Sequence, residues 1–278
     1  MSARRILRSW WLEVVSLLVA LVVFVVPFVF ILLTASKTVS ESARLGFTLP
    51  TTWEILGNLG QVLSARNGMM VNAMRNSLLL TVSSVTLIVF LSAMVGYLLQ
   101  RRQDRWATLA SALMLAGLVV PPAIVPTIYV LQSIGLFKTL FGMILVEVAI
   151  MMPFAVMVFR TFVSAIPREL DEAAIMDGAS PITLFMKVIF PLLRPAMITV
   201  IVVASVGIYN DFTGPLYFLP GSDNATVQLT LFEFQSQWST QWNLLFADVL
   251  LITIPPFVMF IFFQRQMVAG MTAGAVKG

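Results

Sequence analysis

Runs of apolar residues long enough to cross a bilayer, roughly 20 residues each, alternate with short polar connections along the whole chain. The first run extends from about Trp10 to Leu33 behind Arg4, Arg5 and Arg8, with Pro27 as a candidate kink. It is too long for a signal-peptide core and no small-residue cleavage pattern follows it, so it is expected to stay as a transmembrane helix. Residues 36–72 are polar and mixed, with turn signals around Pro50 and Gly57, and predict an external loop with a short helix near 53–65. A second run from Asn72 to Leu99, rich in Ser, Thr and small residues, suits helix–helix packing in a membrane. Arg101, Arg102 and Arg105 form a basic turn. A third run, Trp106 to Leu131, is broken by Pro121, Pro122 and Pro126. A fourth covers Leu140 to Val163, a fifth Leu192 to Phe212 and a sixth Leu244 to Phe263, the last containing Pro255 and Pro256.

The polar stretch from Pro167 to Pro195 stands out against this background and predicts two short helices meeting at a corner. Pro167 suits a first-turn position, where a missing N–H costs nothing. Glu169, Asp171 and Glu172 place negative charge where the helix dipole favours it. Gly178 supplies the residue that can adopt the left-handed conformation at a helix end. Ser180 followed by Pro181 reads as an N-cap and first-turn pair that restarts a helix. Asp177 is out of place, because a carboxylate in the last turn opposes the dipole.

Composition narrows the chemistry. With 59% hydrophobic and 11% charged residues, against about 25% charged in soluble domains, the chain reads as a polytopic membrane protein. Cysteine and histidine are both absent, which removes disulfides, Cys or His zinc sites and histidine acid–base catalysis. No P-loop sequence is present to cradle ATP phosphates, and no hydrolase elbow occurs. The net charge of +4 is spread over short clusters rather than concentrated as a nucleic-acid footprint. With both termini, the turn at 100–106 and the 167–195 stretch assigned to the cytoplasm, and Arg160 counted with them at the inner end of the fourth run, 12 of the 17 Lys and Arg residues lie inside, the exceptions being Lys37, Arg44, Arg66, Arg75 and Lys138. That asymmetry favours an N-in/C-in arrangement.

Ionisable groups inside apolar runs are costly and are candidates for function. Glu147 lies deep in the fourth run, either as a hydrogen-bond partner within the bundle or as part of a water-filled path. Asp248 is expected at the interface, near the outer end of the sixth run. Tyr209, Asn210 and Asp211 end the fifth run, where a polar cluster can line a path or terminate the helix ahead of Gly214-Pro215. The tail from Val268 to Gly278 is small-residued and Gly-rich, a poor helix former on its own.

Glu172-Ala173-Ala174, three residues, Gly178, nine residues and then Val188-Ile189-Phe190-Pro191 resemble the EAA loop of permease subunits of ABC importers. Val188 stands where that pattern prefers Ile, and Phe190 where it prefers Leu. The tail, with Thr272-Ala273-Gly274-Ala275-Val276-Lys277-Gly278, resembles that of the maltose-type permease often called the G-type subunit. The resemblance implies an all-α fold of six transmembrane helices with a cytoplasmic coupling helix, the type I ABC importer permease fold. It implies segments 1–35 (first transmembrane helix), 36–71 (external loop), 72–265 (five-helix core with the loop at 167–195) and 266–278 (cytoplasmic tail). The implied role is translocation of a sugar or oligosaccharide across a prokaryotic plasma membrane, without enzymatic activity of its own. ATP and Mg would bind two partner ATPase subunits and no cofactor or metal this chain. A second, related permease and an extracytoplasmic solute-binding protein complete the implied assembly, with the lipid bilayer around it and no nucleic acid involved. On this resemblance Glu172, Ala173, Ala174, Asp177, Gly178, Thr272 and Lys277 are candidates for coupling to the ATPase. Glu147, Tyr209, Asn210 and Asp211 are candidates for the path, and Phe218, Leu219, Gly221 and Trp238 for contact with the binding protein. The alternatives are a permease for another solute, such as glycerol phosphate or a polyamine, and a stand-alone secondary carrier.

Overall fold

The computed structural model describes the backbone of residues 3–221, 224–232 and 240–275, and side chains at residue 11 and within 13–264 of those segments. The described chain is built from helices: α1 (Ala3–Ala35), α2 (Val39–Ser42), α3 (Ile55–Arg101), α4 (Arg105–Val119), α5 (Ile124–Ser133), α6 (Leu140–Ser164), α7 (Glu169–Met176), α8 (Pro181–Leu184), a π-helical turn (Phe185–Ile189), α9 (Phe190–Leu192), α10 (Arg194–Tyr209), α11 (Thr213–Phe218), α12 (Val227–Thr230) and α13 (Trp242–Ala275). Among the described residues, four segments are long and apolar enough to cross a membrane: Glu13–Ala35, Ile55–Arg101, Leu140–Ser164 and Trp242–Gln264. A fifth forms only if Pro181–Leu192 and Arg194–Tyr209 are taken together across their 75° bend.

The expected third span is two shorter apolar helices, α4 and α5, separated at residues 120–123. Pro121 and Pro122 bring about this break, because neither supplies an N–H to continue the helical ladder. Pro126 sits within α5, in its first turn, and does not interrupt it. The short helix expected near 53–65 is the first part of α3. Non-helical dihedrals at Ala65, Arg66, Asn67 and Gly68 separate it from the long segment that follows.

The chain divides into two compact units, one of residues 1–71 with 229–254 and one of residues 72–228 with 255–278. In the first unit, polar side chains knot the segments together. The buried Asn58 side chain donates to the carbonyls of Ala35 and Lys37, each at 2.9 Å, and accepts from Asn243 Nδ2 at 2.9 Å. Lys37, also buried, donates to the carbonyl of Gly46 at 2.6 Å. Asp248 is fully buried and accepts from Thr230 Oγ1 at 2.9 Å. This corrects the expectation of an interfacial carboxylate: a hydroxyl donor compensates its removal from water.

The second unit has the main apolar core. Met143, Ala155, Phe159 and Val163 of α6 pack there with Leu80, Ile88 and Ala93 of α3 and with Ala196, Val200 and Ile208 of α10. Glycines set the closest approaches. A Cβ built on Gly96 of α3 would lie 2.8 Å from Phe159 Cβ, and one on Gly117 of α4 2.9 Å from Pro153 Cγ. Small residues of this kind let helix backbones approach where lipid offers no hydrophobic drive for association. Consistent with a lipid surrounding, large apolar side chains such as Leu17, Phe24, Val82 and Phe262 are exposed on the long helices.

Candidate functional site

The polar stretch folds as its sequence predicts at the corner. Helix α7 carries Glu169, Asp171 and Glu172 in its first turn. At its far end Gly178 takes φ +79°, and two hydrogen bonds close the turn: Gly178 N–H to the Ile175 carbonyl and Ala179 N–H to the Ala174 carbonyl, both at 2.9 Å. This is the Schellman arrangement, which satisfies carbonyls that a helix end would leave bare. Asp177 is the C-cap residue. Ser180 then caps α8 by accepting from Thr183 N–H at 3.2 Å, with Pro181 in the first turn. Pro167 is the exception. It precedes the Arg168 N-cap and so lies outside the first turn expected for it.

Glu172, Ala173, Asp177 and Gly178 are exposed, whereas Ala174 is half-buried against the core. Sequence reasoning missed the apolar side chains that share this exposed surface: Leu170, Ile175, Met176 (87% exposed) and Ile182 (76%). Exposed apolar clusters beside polar residues mark binding surfaces.

Asp171 points the other way. Its carboxylate is largely buried and pairs with Arg101 Nε at 2.5 Å. Arg101 ends α3, donates to the Ile166 carbonyl at 3.1 Å and lies 6.0 Å from the centroid of the Tyr97 ring. From Tyr97 a series of aromatic contacts continues to Phe185 (5.8 Å), Phe190 (5.6 Å further) and Phe90 (6.1 Å). The sequence reading used Arg101 for topology and Asp171 for the dipole, and did not pair them. The available signal was helical phase: Asp171 lies three residues before Ala174, on the inward face.

The segment after the corner is less regular than expected. Phe190 N–H bonds five residues back to the Phe185 carbonyl, which defines the π turn, and the chain then bends at the buried Leu193. Pro191 and Pro195 explain the irregularity, since each removes the N–H that would bond four residues back.

At the other candidate cluster, Tyr209 ends α10 and is buried, with its hydroxyl 3.6 Å from Met74 Sδ. Asn210 is the C-cap, and its side chain donates to the Val206 carbonyl at 2.9 Å and accepts from Gln228 at 3.2 Å. Asp211 accepts from the N–H groups of Thr213 and Gly214, both reached at 3.0 Å, and so starts α11. Glu147 is buried in α6 and its carboxyl hydrogen-bonds to that of Asp211, while its Oε1 has no hydrogen-bond partner. Two carboxyls 64 residues apart in sequence therefore meet, and a Cβ on Gly214 would collide with both Asp211 and Met143. Close by in the same unit, a cavity of about 220 Å³ is lined by Thr81, Ser205, Tyr209 and the Pro255-Pro256 pair, and a second of about 400 Å³ shares Thr81 and Ser205.

Phe218 and Leu219 are buried in the apolar core, so they are not the surface contacts expected of them. Their position within and just after α11 turns them inward, and Gly221, at φ +118°, is the exposed residue of that trio. Trp238 and Lys277 lie outside the described residues, as does the side chain of Thr272. Among the described residues, no group of three His, Cys, Asp or Glu side chains is placed to hold a metal ion.

Known proteins match the chain over most of its length. The family model for the binding-protein-dependent transport system inner membrane component matches residues 88–273. The chain is 30% identical over 283 residues to the trehalose transport system permease protein SugB of Mycobacterium tuberculosis, covering 100% of both chains. It is 28% identical over 280 residues to the melibiose/raffinose/stachyose import permease protein MelC of Bacillus subtilis, covering 99% of this chain and 100% of that one. In fold it is similar to a chain of a bacterial ABC transporter involved in the import of the acidic polysaccharide alginate. The TM-score is 0.83 at 17% identity, covering 95% of this chain and 98% of the other. The chain therefore belongs to the family of binding-protein-dependent transport system inner membrane components, the membrane-embedded permease subunits of ABC transporters.

Proposed function

We propose that the chain is the permease subunit of an ATP-driven importer that translocates a neutral sugar or oligosaccharide. Supporting the sugar class are the substrates named for SugB and MelC and the two cavities, which present Thr, Ser and Tyr among apolar side chains. Hydrolysis of ATP falls to two partner ATPase subunits, since this sequence has no P-loop. A second permease completes the path, and an extracytoplasmic binding protein delivers the solute; the family's description as binding-protein-dependent supports the latter. Both termini and the 167–195 stretch face the cytoplasm, and the four segments 1–35, 36–71, 72–265 and 266–278 serve as anchor, external loop, core and tail.

One observation carries this reading. The α7–α8 corner exposes Glu172, Ala173, Asp177 and Gly178 beside Met176 and Ile182 while Asp171 fastens its opposite face to α3. A polar-edged apolar knob on a fixed base is suited to docking in a cleft of the ATPase. Closure of the ATPase dimer then moves the corner, and the membrane helices follow between two states. Glu172 and Asp177 offer charge to that cleft and Ala173 close approach. Gly178 holds the turn, and Thr272 and Lys277 extend the contact from the tail. Glu147, Tyr209, Asn210 and Asp211 belong to the outer end of the path, and Gly221 and Trp238 to the surface that meets the binding protein.

The test is ATP-dependent uptake in proteoliposomes containing the full assembly. Glu172→Ala and Gly178→Pro assemble but lose uptake and binding-protein-stimulated ATPase activity. Proline cannot reach φ +79°, because its ring holds φ near about −65°. Wild-type uptake by both variants would remove the corner from the mechanism.

A further inference from the structure

Arg101 makes more contacts than a topology signal needs. Its guanidinium makes three contacts at once. It pairs with Asp171 of α7 at 2.5 Å, donates to the Ile166 carbonyl just beyond α6 at 3.1 Å, and lies over Tyr97 of its own helix at 6.0 Å. Both ion-pair side chains are largely withdrawn from solvent, at 14% and 12% exposure. An ion pair in that setting is screened far less than a surface pair, and removing one partner strands the other. The neighbouring Arg102 makes only a long, exposed contact with Asp104 at 3.8 Å, so the basic turn is not uniformly engaged. Arg160 is separate again, bridging Gln100 at 3.2 Å and Ser111 at 3.0 Å.

We infer that Arg101 is the positioning residue that makes α7 and the end of α3 move as one body, so that displacement of the corner becomes displacement of the membrane helix. The inference rests on the docking role proposed for the corner. Asp171 is the receiving group on α7, and the Ile166 carbonyl fixes the plane of the guanidinium. The contacts from Tyr97 to Phe185, Phe190 and Phe90 carry the same attachment past the π turn. Arginine suits the role because its fork serves a carboxylate and a carbonyl together, which a lysine ammonium does with less directional control.

The experiment compares Arg101→Ala, Arg101→Lys and the exchange Arg101→Asp with Asp171→Arg in the reconstituted transporter. Uptake, ATP hydrolysed per sugar and a disulfide crosslink between Met176→Cys and a cysteine in the ATPase cleft are read together. The permease brings no cysteine of its own to confuse the crosslink. Arg101→Ala is expected to keep the crosslink, lose uptake at least tenfold and hydrolyse more ATP per sugar, with Arg101→Lys between it and wild type. The exchange restores the charge pair, though not the bond to the Ile166 carbonyl, and is expected to recover more uptake than either single change; the rise in ATP hydrolysed per sugar is the readout that a merely structural loss would not give. Wild-type uptake and stoichiometry in Arg101→Ala, or an exchange no better than the single changes, would overturn the inference. Absence of the crosslink with Arg101 intact would instead overturn the docking role itself, and the inference with it.

Discussion

Gly96 provides a quantitative check on how the core helices meet. Adding one methyl there as Gly96→Ala puts Cβ 2.8 Å from Phe159 Cβ, 3.1 Å from the Arg160 nitrogen and 3.2 Å from the Val156 carbonyl oxygen, against ordinary contacts of 3.4–4 Å. Two of those three atoms are backbone of α6, so no side-chain rotation relieves them. The helices must separate by several tenths of an ångström, and every contact in the surrounding layer loosens with them. Overpacking of this kind costs about 1–3 kcal/mol, which at about 2–4 °C per kcal/mol for a chain of this size is a fall of about 2–12 °C in Tm. Gly57 is the control: it lies in the first part of α3, and a Cβ there meets nothing within 4 Å. Gly57→Ala gains about 0.5–1 kcal/mol from reduced unfolded-state freedom and better helix propensity. Thermal unfolding in detergent, followed by size-exclusion fluorescence, reads both. Equal melting of Gly96→Ala and wild type, or a Gly57→Ala protein that melts below Gly96→Ala, would refute the close-packing argument.

Two further substitutions probe buried polar groups. Asn58→Ala removes one donor from each of two carbonyls and the acceptor of Asn243, and is expected to lower stability by about 1–3 kcal/mol. Asn58→Asp costs more, because its carboxylate cannot donate to the Ala35 and Lys37 carbonyls, and the same melting assay ranks the two. For the carboxyl pair, Glu147→Gln keeps a donor for Asp211 at nearly unchanged volume and is expected to melt at or above wild type. Glu147→Ala leaves a void and takes the side-chain partner from Asp211, which keeps only its bonds from the Thr213 and Gly214 N–H groups, and loses about 1–3 kcal/mol. Equal melting of the Gln and Ala forms would show that the pair contributes nothing.

What could be read from the sequence was local. Gly178 and Ser180-Pro181 act through their own backbone and nearest turn, and they fold as their residue types dictate. The long apolar helices announce themselves by length. What could not be read depends on partners distant in the chain. Arg101 and Asp171 are 70 residues apart: helical phase puts Asp171 on the inner face of its short helix, but nothing in either neighbourhood names the other as its partner. Phe218 and Leu219 sit among Gly and Pro residues that suggest surface loop, yet α11 turns both into the core. Asp248 looked like a span-end carboxylate because the hydroxyl that satisfies it belongs to Thr230, on a separate helix. The π turn lay between these cases: Pro191 and Pro195 were visible, but only the tertiary path decides whether missing N–H groups produce a kink, a break or a wider turn.

The most direct measurement is sugar uptake in proteoliposomes assembled from purified components, with the ATPase, the second permease and the binding protein omitted in turn. The expected result is uptake that requires ATP inside the compartment holding the α7–α8 corner and vanishes when any one component is left out. Uptake that continues without the ATPase, driven by an ion gradient alone, would contradict the coupling role of the corner and make the chain a carrier in its own right.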